Sequence, residues 1–164
     1  MLLTAINDKI IRCVNVIIII TMVSLVVCIS LQILNRFALK MPMAWTEEFA
    51  RYFFVWLAML GSARALRDKS HIFVDILEVL VKGTLAKVCA IIADVVCLFF
   101  SSLLLYVSIP WTIKNFDVGT ESVPWLSMGM FYLCIPLTAI LLIIFGIEVF
   151  IMRIKTPAEK AEGN

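Results

Sequence analysis

The apolar positions of this 164-residue chain gather into four long runs, 13–34, 45–66, 85–109 and 125–152. Each exceeds the ~20 residues that carry an α-helix across a ~30 Å hydrocarbon layer at about 1.5 Å per residue. The pattern predicts an all-α integral membrane protein with four transmembrane helices in one domain, residues 1–155, and a short disordered cytoplasmic tail at 156–164. The first run is longer than the apolar core of a cleavable signal peptide, about 7–15 residues, and lacks a small-x-small cleavage site. It is expected to stay as a span.

Between the second and third runs the period changes. In residues 71–82 (HIFVDILEVLVK), His71, Asp75, Glu78 and Lys82 recur at helical spacing on one side of the wheel, and the other positions are apolar. Too short to cross, this stretch predicts an amphipathic helix lying in the membrane interface. Asp68 or Ser70 would cap its start and Gly83 would end it. His71 reads as a solvated or Asp75-paired histidine before it reads as a ligand or proton relay.

The second run divides into two unlike faces. Trp45, Phe49, Phe53, Trp56 and Leu60 form a bulky stripe suited to lipid or a large partner. Glu47, Glu48, Arg51, Val55, Ala58, Ser62 and Ala65 form a smaller one, which suits close helix packing against protein. Three charges at the head of a span need an explanation. Glu47 and Glu48 can each pair with Arg51 at helical spacing, Thr46 can cap the helix, and acids suit a helix N-terminus. At the membrane boundary the penalty for charge is far below its mid-membrane value. The cluster is either a self-paired helix start or a docking collar for another protein, with Arg36 across the short loop as a local partner.

Composition sharpens this picture. Only 16% of residues are charged and the mean hydropathy is +1.05, against about a quarter charged in soluble domains. Ten basic residues (Lys9, Arg12, Arg64, Arg67, Lys69, Lys82, Lys87, Arg153, Lys155 and Lys160) flank one side of the spans. Four (Arg36, Lys40, Arg51 and Lys114) flank the other. The excess marks the cytoplasmic side and puts both termini there. The net charge of +2 follows from that asymmetry and implies no nucleic-acid partner.

Candidate chemistry is sparse. Asp94 and Glu148 lie inside apolar runs toward the cytoplasmic half, where structural ion pairs are the first reading and a functional role the second. Pro136 should kink the fourth span or break its hydrogen-bond ladder, and Pro110–Pro124 reads as an outer loop anchored by Trp111 and Trp125. Cys13, Cys28, Cys89, Cys97 and Cys134 form no CxxC pair and read as small apolar fillers. One histidine excludes a diheme cytochrome. No nucleophile–base pair, metal cluster or cofactor motif is present, so no enzyme is expected and no catalytic, substrate or metal residues are assigned.

From Arg36 to Asp75 the chain resembles the small membrane subunit, DctQ-type, of tripartite ATP-independent periplasmic (TRAP) transporters. The resemblance rests on Arg36, Trp45-Thr-Glu47-Glu48-x-x-Arg51, Trp56, Leu60-Gly61, Arg67 and His71-Ile-x-Val-Asp75. Leu80-Val-Lys-Gly83 departs from the family's usual Leu-Pro. The resemblance implies a scaffold partner of a large membrane subunit, contacted in passing by a periplasmic substrate-binding protein and surrounded by lipid. It implies sodium-coupled uptake of an organic acid such as sialic acid, a C4-dicarboxylate or a sulfonate, in a bacterial or archaeal inner membrane. Substrate and sodium would bind the large subunit. The subunit-interface candidates are Arg36, Trp45, Glu47, Glu48, Arg51, Ala58 and Ser62. The alternative is a self-contained proton-coupled transporter using Asp94 and Glu148.

Overall fold

The computed structural model describes residues 2–40, 43–68 and 84–155. The expected interfacial helix at 71–82, with His71, Asp75, Glu78 and Lys82, and the expected tail at 156–164 lie outside the described residues. The elements are α1 (Leu2–Leu34), a π-helical turn (Asn35–Leu39), α2 (Ala44–Arg67), α3 (Thr84–Lys114), α4 (Met128–Tyr132) and α5 (Cys134–Lys155). The described residues are all-helical and contain no strand beyond one isolated bridge between Gly119 and Ser127.

Three stretches are long and apolar enough to cross a membrane: Asn7–Ala38, Val88–Lys114 and Met128–Ile154. The second predicted span, α2, is not among them. Its 24 residues reach about 36 Å, but charges occupy both ends. The uncharged stretch between Arg51 and Arg64 covers only about 18 Å at the helical rise.

The helices stand in a row. α1 packs on α2, α2 on α5, and α5 on α3. The start of α1, the end of α2, the start of α3 and the end of α5 share one rim, here called the terminal rim; the π-helical turn after α1, the start of α2 and the α3–α4 loop share the other, the loop rim. The core is a seam of Ile11 and Val14 from α1, Leu60, Ala63 and Leu66 from α2, and Leu141 and Phe145 from α5. A single layer cannot cover its outer faces. Ile19 on α1 and Phe99 on α3, with many apolar neighbours, stay exposed. So large an uncovered apolar surface belongs against lipid or protein.

Several expected boundaries move. α1 begins eleven residues before the predicted start of the first span at residue 13. The outer loop begins after Lys114, because α3 continues through Pro110 and carries Trp111 within it. Helix α2 starts at Ala44, so Thr46 sits inside its first turn, fully buried, and its hydroxyl donates back to the Met43 carbonyl at 2.8 Å instead of capping the helix. The faces of α2 also exchange roles. Trp56 and Leu60 pack into the chain's own core, while Val55, Ala58, Ser62 and Ala65 are exposed. The bulky stripe turns inward because α2 is an inner member of the row. Cys28 and Cys134 are buried fillers, but Cys13 is exposed on α1.

The kink or break expected from Pro136 takes the form of a break at Leu133, between α4 and α5. Proline has no N–H for the Tyr132 carbonyl four residues back. That carbonyl instead accepts from the Thr112 hydroxyl of α3 at 3.4 Å. The neighbouring Phe131 carbonyl accepts from the Trp56 indole of α2 at 3.0 Å. Side chains of adjacent helices thus satisfy backbone groups that lipid cannot.

The α3–α4 loop is folded tightly. The Thr120 N–H donates to the Leu126 carbonyl and the Met128 N–H to the Val118 carbonyl, each at 2.8 Å, and the Ser127 hydroxyl donates to the Phe116 carbonyl at 2.6 Å. A Cβ on Gly119 would lie 2.2 Å from the Pro124 carbonyl oxygen. Gly119→Ala is therefore expected to destabilise the protein by about 1–3 kcal/mol through forced backbone movement, read as a lower apparent Tm in detergent. An unchanged Tm would mean that the loop yields freely.

Candidate functional site

The acids buried in this apolar row, Glu48, Asp94 and Glu148, lie toward its two rims. At the loop rim, Glu48 turns inward and is 7% exposed. Its Oε1 accepts from the Tyr52 hydroxyl at 2.9 Å and from the Glu121 backbone N–H at 3.0 Å. Its Oε2 accepts from the Ser122 N–H at 2.8 Å. One carboxylate therefore ties α2 to the loop that follows α3, with bonds strengthened by its charge. Tyr52 stacks on Phe131 with ring centroids 4.1 Å apart, and Phe49 meets the same ring edge-on at 5.6 Å.

The rest of the predicted collar points away. Arg51 and Glu47 approach at 3.9 Å, with side chains 69% and 66% exposed. Such a pair is worth under ~1 kcal/mol. The expected Glu48–Arg51 pair does not form, because Glu48 faces the loop while Arg51 faces outward. Arg36 is exposed on the π turn and makes no ion pair among the described residues. Trp45 is exposed and touches Phe49 edge-on. Ala58 and Ser62 are exposed further along α2, where the Ser62 hydroxyl donates to the Met59 carbonyl.

At the terminal rim the intramembrane acids meet bases. Glu148 of α5 accepts from the Asn7 amide of α1 at 2.7 Å and from Arg67 of α2 at 3.4 Å. Arg67 also donates to Asp8 of α1, and its guanidinium lies 5.6 Å from the Phe145 ring centroid. Asp94 of α3 pairs with Arg153 of α5 at 2.8 Å. Arg64 donates to Asn15 of α1 and pairs with Asp68 at 3.1 Å. Every helix of the row is thus tied to a neighbour by a charged or amide side chain. Tyr52, Arg67, Asn7, Asp8 and Arg153 were not assigned as site residues from sequence. Tyr52 carried a local signal, four residues after Glu48.

Chemically these groups are arranged to hold helices and loop together. The buried acids are engaged by cations, amides or backbone donors. Among the described residues no three His, Cys, Asp or Glu side chains come together as a metal would need.

Comparison with known proteins adds a family. The model of the family described as "Tripartite ATP-independent periplasmic transporters, DctQ component" matches residues 25–156. The chain is 28% identical over 128 residues to the sialic acid TRAP transporter permease protein SiaT of Haemophilus influenzae strain 86-028NP, covering 76% of this chain and 20% of that protein. It is 32% identical over 81 residues to the C4-dicarboxylate TRAP transporter small permease protein DctQ of Pseudomonas aeruginosa, covering 49% and 39%. It is 30% identical over 73 residues to the protein of the same description from Vibrio cholerae, covering 44% and 32%. The aligned stretch thus spans well under half the length of each of these relatives.

The two rims predict unequal sensitivities. Arg67→Ala strands the buried acid Glu148 and should cost about 3–5 kcal/mol, the range for breaking a buried pair, whereas Asp8 is exposed and adds little. Arg51→Ala should cost under ~1 kcal/mol in the isolated chain. Thermal unfolding of the purified chain in detergent separates them, and equal melting of the two variants would contradict the assignment.

Proposed function

The chain belongs to the DctQ component of the tripartite ATP-independent periplasmic transporters, and on that premise we propose that it is the fixed membrane companion of a large membrane subunit. The observation that carries this reading is the uncovered face of α2. Glu47, Arg51, Val55, Ala58, Ser62 and Ala65 are exposed in a continuous line from the loop rim toward the terminal rim. Small residues at that spacing let a second helix approach closely in lipid. Of the predicted interface residues, Glu47, Arg51, Ala58 and Ser62 belong to this line, with Arg36 and Trp45 beside its outer end. Glu48 is assigned instead to holding the loop.

In this reading α2 is the fourth crossing, shielded on one side by α1 and α5 and on the other by the large subunit. Residues 1–155 act as a single membrane domain, with the amphipathic segment 71–82 in the cytoplasmic interface. The terminal rim and both chain ends face the cytoplasm of a bacterial or archaeal cell. The loop rim faces the periplasm, where a substrate-binding protein docks transiently. The complex takes up an organic acid with sodium. Relatives named for sialic acid and for C4-dicarboxylates support that substrate class. The match to one fifth of a much longer permease supports a larger membrane partner. No substrate or sodium site is assigned to this chain.

The self-contained proton-coupled transporter is not favoured. It requires Asp94 and Glu148 to release and take up protons, and both are paired with arginine in the packed row.

Reconstitution tests the reading. In liposomes under a sodium gradient, uptake of a labelled organic acid is expected only when the large subunit and a loaded binding protein accompany this chain. Uptake by this chain alone would overturn the proposal. In the full complex, Asp94→Asn and Glu148→Gln should retain most of the uptake, because an amide keeps the shape and part of the hydrogen bonding. Complete loss in a well-assembled complex would favour a direct proton role.

The topology has its own measurement. With the native cysteines replaced, an impermeant maleimide added to intact cells should label Asp117→Cys in the α3–α4 loop and spare Asp8→Cys. The opposite labelling would reverse the orientation.

A further inference from the structure

At the loop rim a cleft of about 460 Å³ opens between α2 and the α3–α4 loop. Glu47, Arg51 and Val55 line it from α2, Glu121 and Ser122 from the loop, and Phe131 from α4. Its shape depends on Glu48, which pins the Glu121 and Ser122 backbone at 3.0 and 2.8 Å and holds the loop at that distance from α2.

The lining has both charge and an apolar wall. Glu48 directs its oxygens to the loop and to Tyr52. Glu47 and Glu121 remain available, facing one arginine. Glu47 meets Arg51 only at 3.9 Å, with both largely exposed, a contact too weak to resist exchange for a better partner. Glu121 is exposed and makes no ion pair among the described residues. The cleft is therefore net negative, and Val55, Phe131 and Tyr132 give it an apolar wall. Aromatic faces beside carboxylates suit a guanidinium or ammonium group delivered on an apolar segment.

Position selects the bearer of that group. Val55 belongs both to the cleft and to the exposed line of α2 that continues through Ala58, Ser62 and Ala65. An element packed along that line reaches the cleft at its outer end without leaving the helix surface. We propose that this cleft is the socket for a basic side chain carried on an apolar segment of the large membrane subunit, with Glu47 and Glu121 as its counter-charges. The proposal rests on the subunit reading above and adds where, and by what chemistry, the two proteins are keyed together. Glu48 is a positioning residue: it keeps the socket open without itself meeting the guest.

Co-purification of the large subunit with tagged variants of this chain provides the test. Glu121→Lys combined with Glu47→Lys places like charges together, which is costly across an interface. It should reduce the recovered partner about tenfold or more, a loss of roughly 1.4 kcal/mol of association. Glu121→Gln combined with Glu47→Gln should give a smaller fall, whereas equal falls would point to packing and not charge. Ala58→Trp on the exposed α2 line is the control for the subunit reading. If it abolishes recovery while the double lysine variant is unaffected, the socket is wrong and the subunit reading stands. If neither variant changes recovery, the α2 interface fails as well.

A photo-crosslinking benzophenone amino acid at Ser122 then identifies the occupant in whole membranes. An adduct with the large subunit is expected. Adducts exclusively with lipid, or exclusively with the binding protein, would overturn the assignment.

Discussion

Arg67 and Glu148 set the terms on which this chain packs. Between helices in lipid there is little hydrophobic driving force, since the tails are as apolar as the side chains they would replace. A row of four helices, each packed mainly on its neighbours, needs contacts that lipid cannot imitate. A buried cation and anion provide one, because either left alone in an apolar setting costs several kcal/mol. Arg67 on α2 meets Asp8 on α1, Glu148 on α5 and the face of Phe145. That one side chain thereby fixes the register of three helices, and Asp94 with Arg153 adds the fourth.

The loop rim repeats the logic with different chemistry. Here Glu48 binds backbone N–H groups, so the held object is a loop and not a helix. The neighbouring Phe49, Tyr52 and Phe131 rings and the Trp56 indole fasten α4 to the same end of α2. The break at Leu133 fits this arrangement, since the carbonyls near Pro136 find donors on α2 and α3. A row pinned at both ends resists sliding. One helical turn of slip, about 5.4 Å, would misalign the bonds of both rims together.

Much of this was legible in the sequence, and the limit was separation along the chain. Each apolar run fell on helix, and α2 matched its run within one residue at both ends, whereas α1 starts eleven residues earlier and α3 ends five residues later than their runs; the isolated acids Asp94 and Glu148 were conspicuous in their runs. Their partners were not. Glu148 lies 81 positions from Arg67 and 141 from Asn7. Glu48 lies 73 and 74 positions from the loop residues that it holds. Helical periodicity relates positions three and four apart, so it found the Glu47–Arg51 contact, the weakest of the set. It also divided α2 into two faces without saying which one the chain covers itself. That depends on α2 being an inner member of the row, a property of topology. Tyr52, four residues after Glu48, was the one local clue to the loop-rim arrangement.

A protein pinned in this way is suited to stand still. A carboxylate that carries protons must shed its cation each cycle, and here Asp94 and Glu148 are held by the same arginines that align the helices. Releasing either would loosen the packing it serves, so cycling a proton and holding the row compete for the same groups. A scaffold has no such conflict. It needs one side closed on its own core, another left open for a partner, and little relative motion between them. Helix α2 meets these needs together: Leu60, Ala63 and Leu66 face inward, Ala58, Ser62 and Ala65 face outward, and a buried charge secures each end. The charged head of α2 thus divides between two faces. Glu48 holds the protein's own loop, and Glu47 and Arg51 lie exposed beside it.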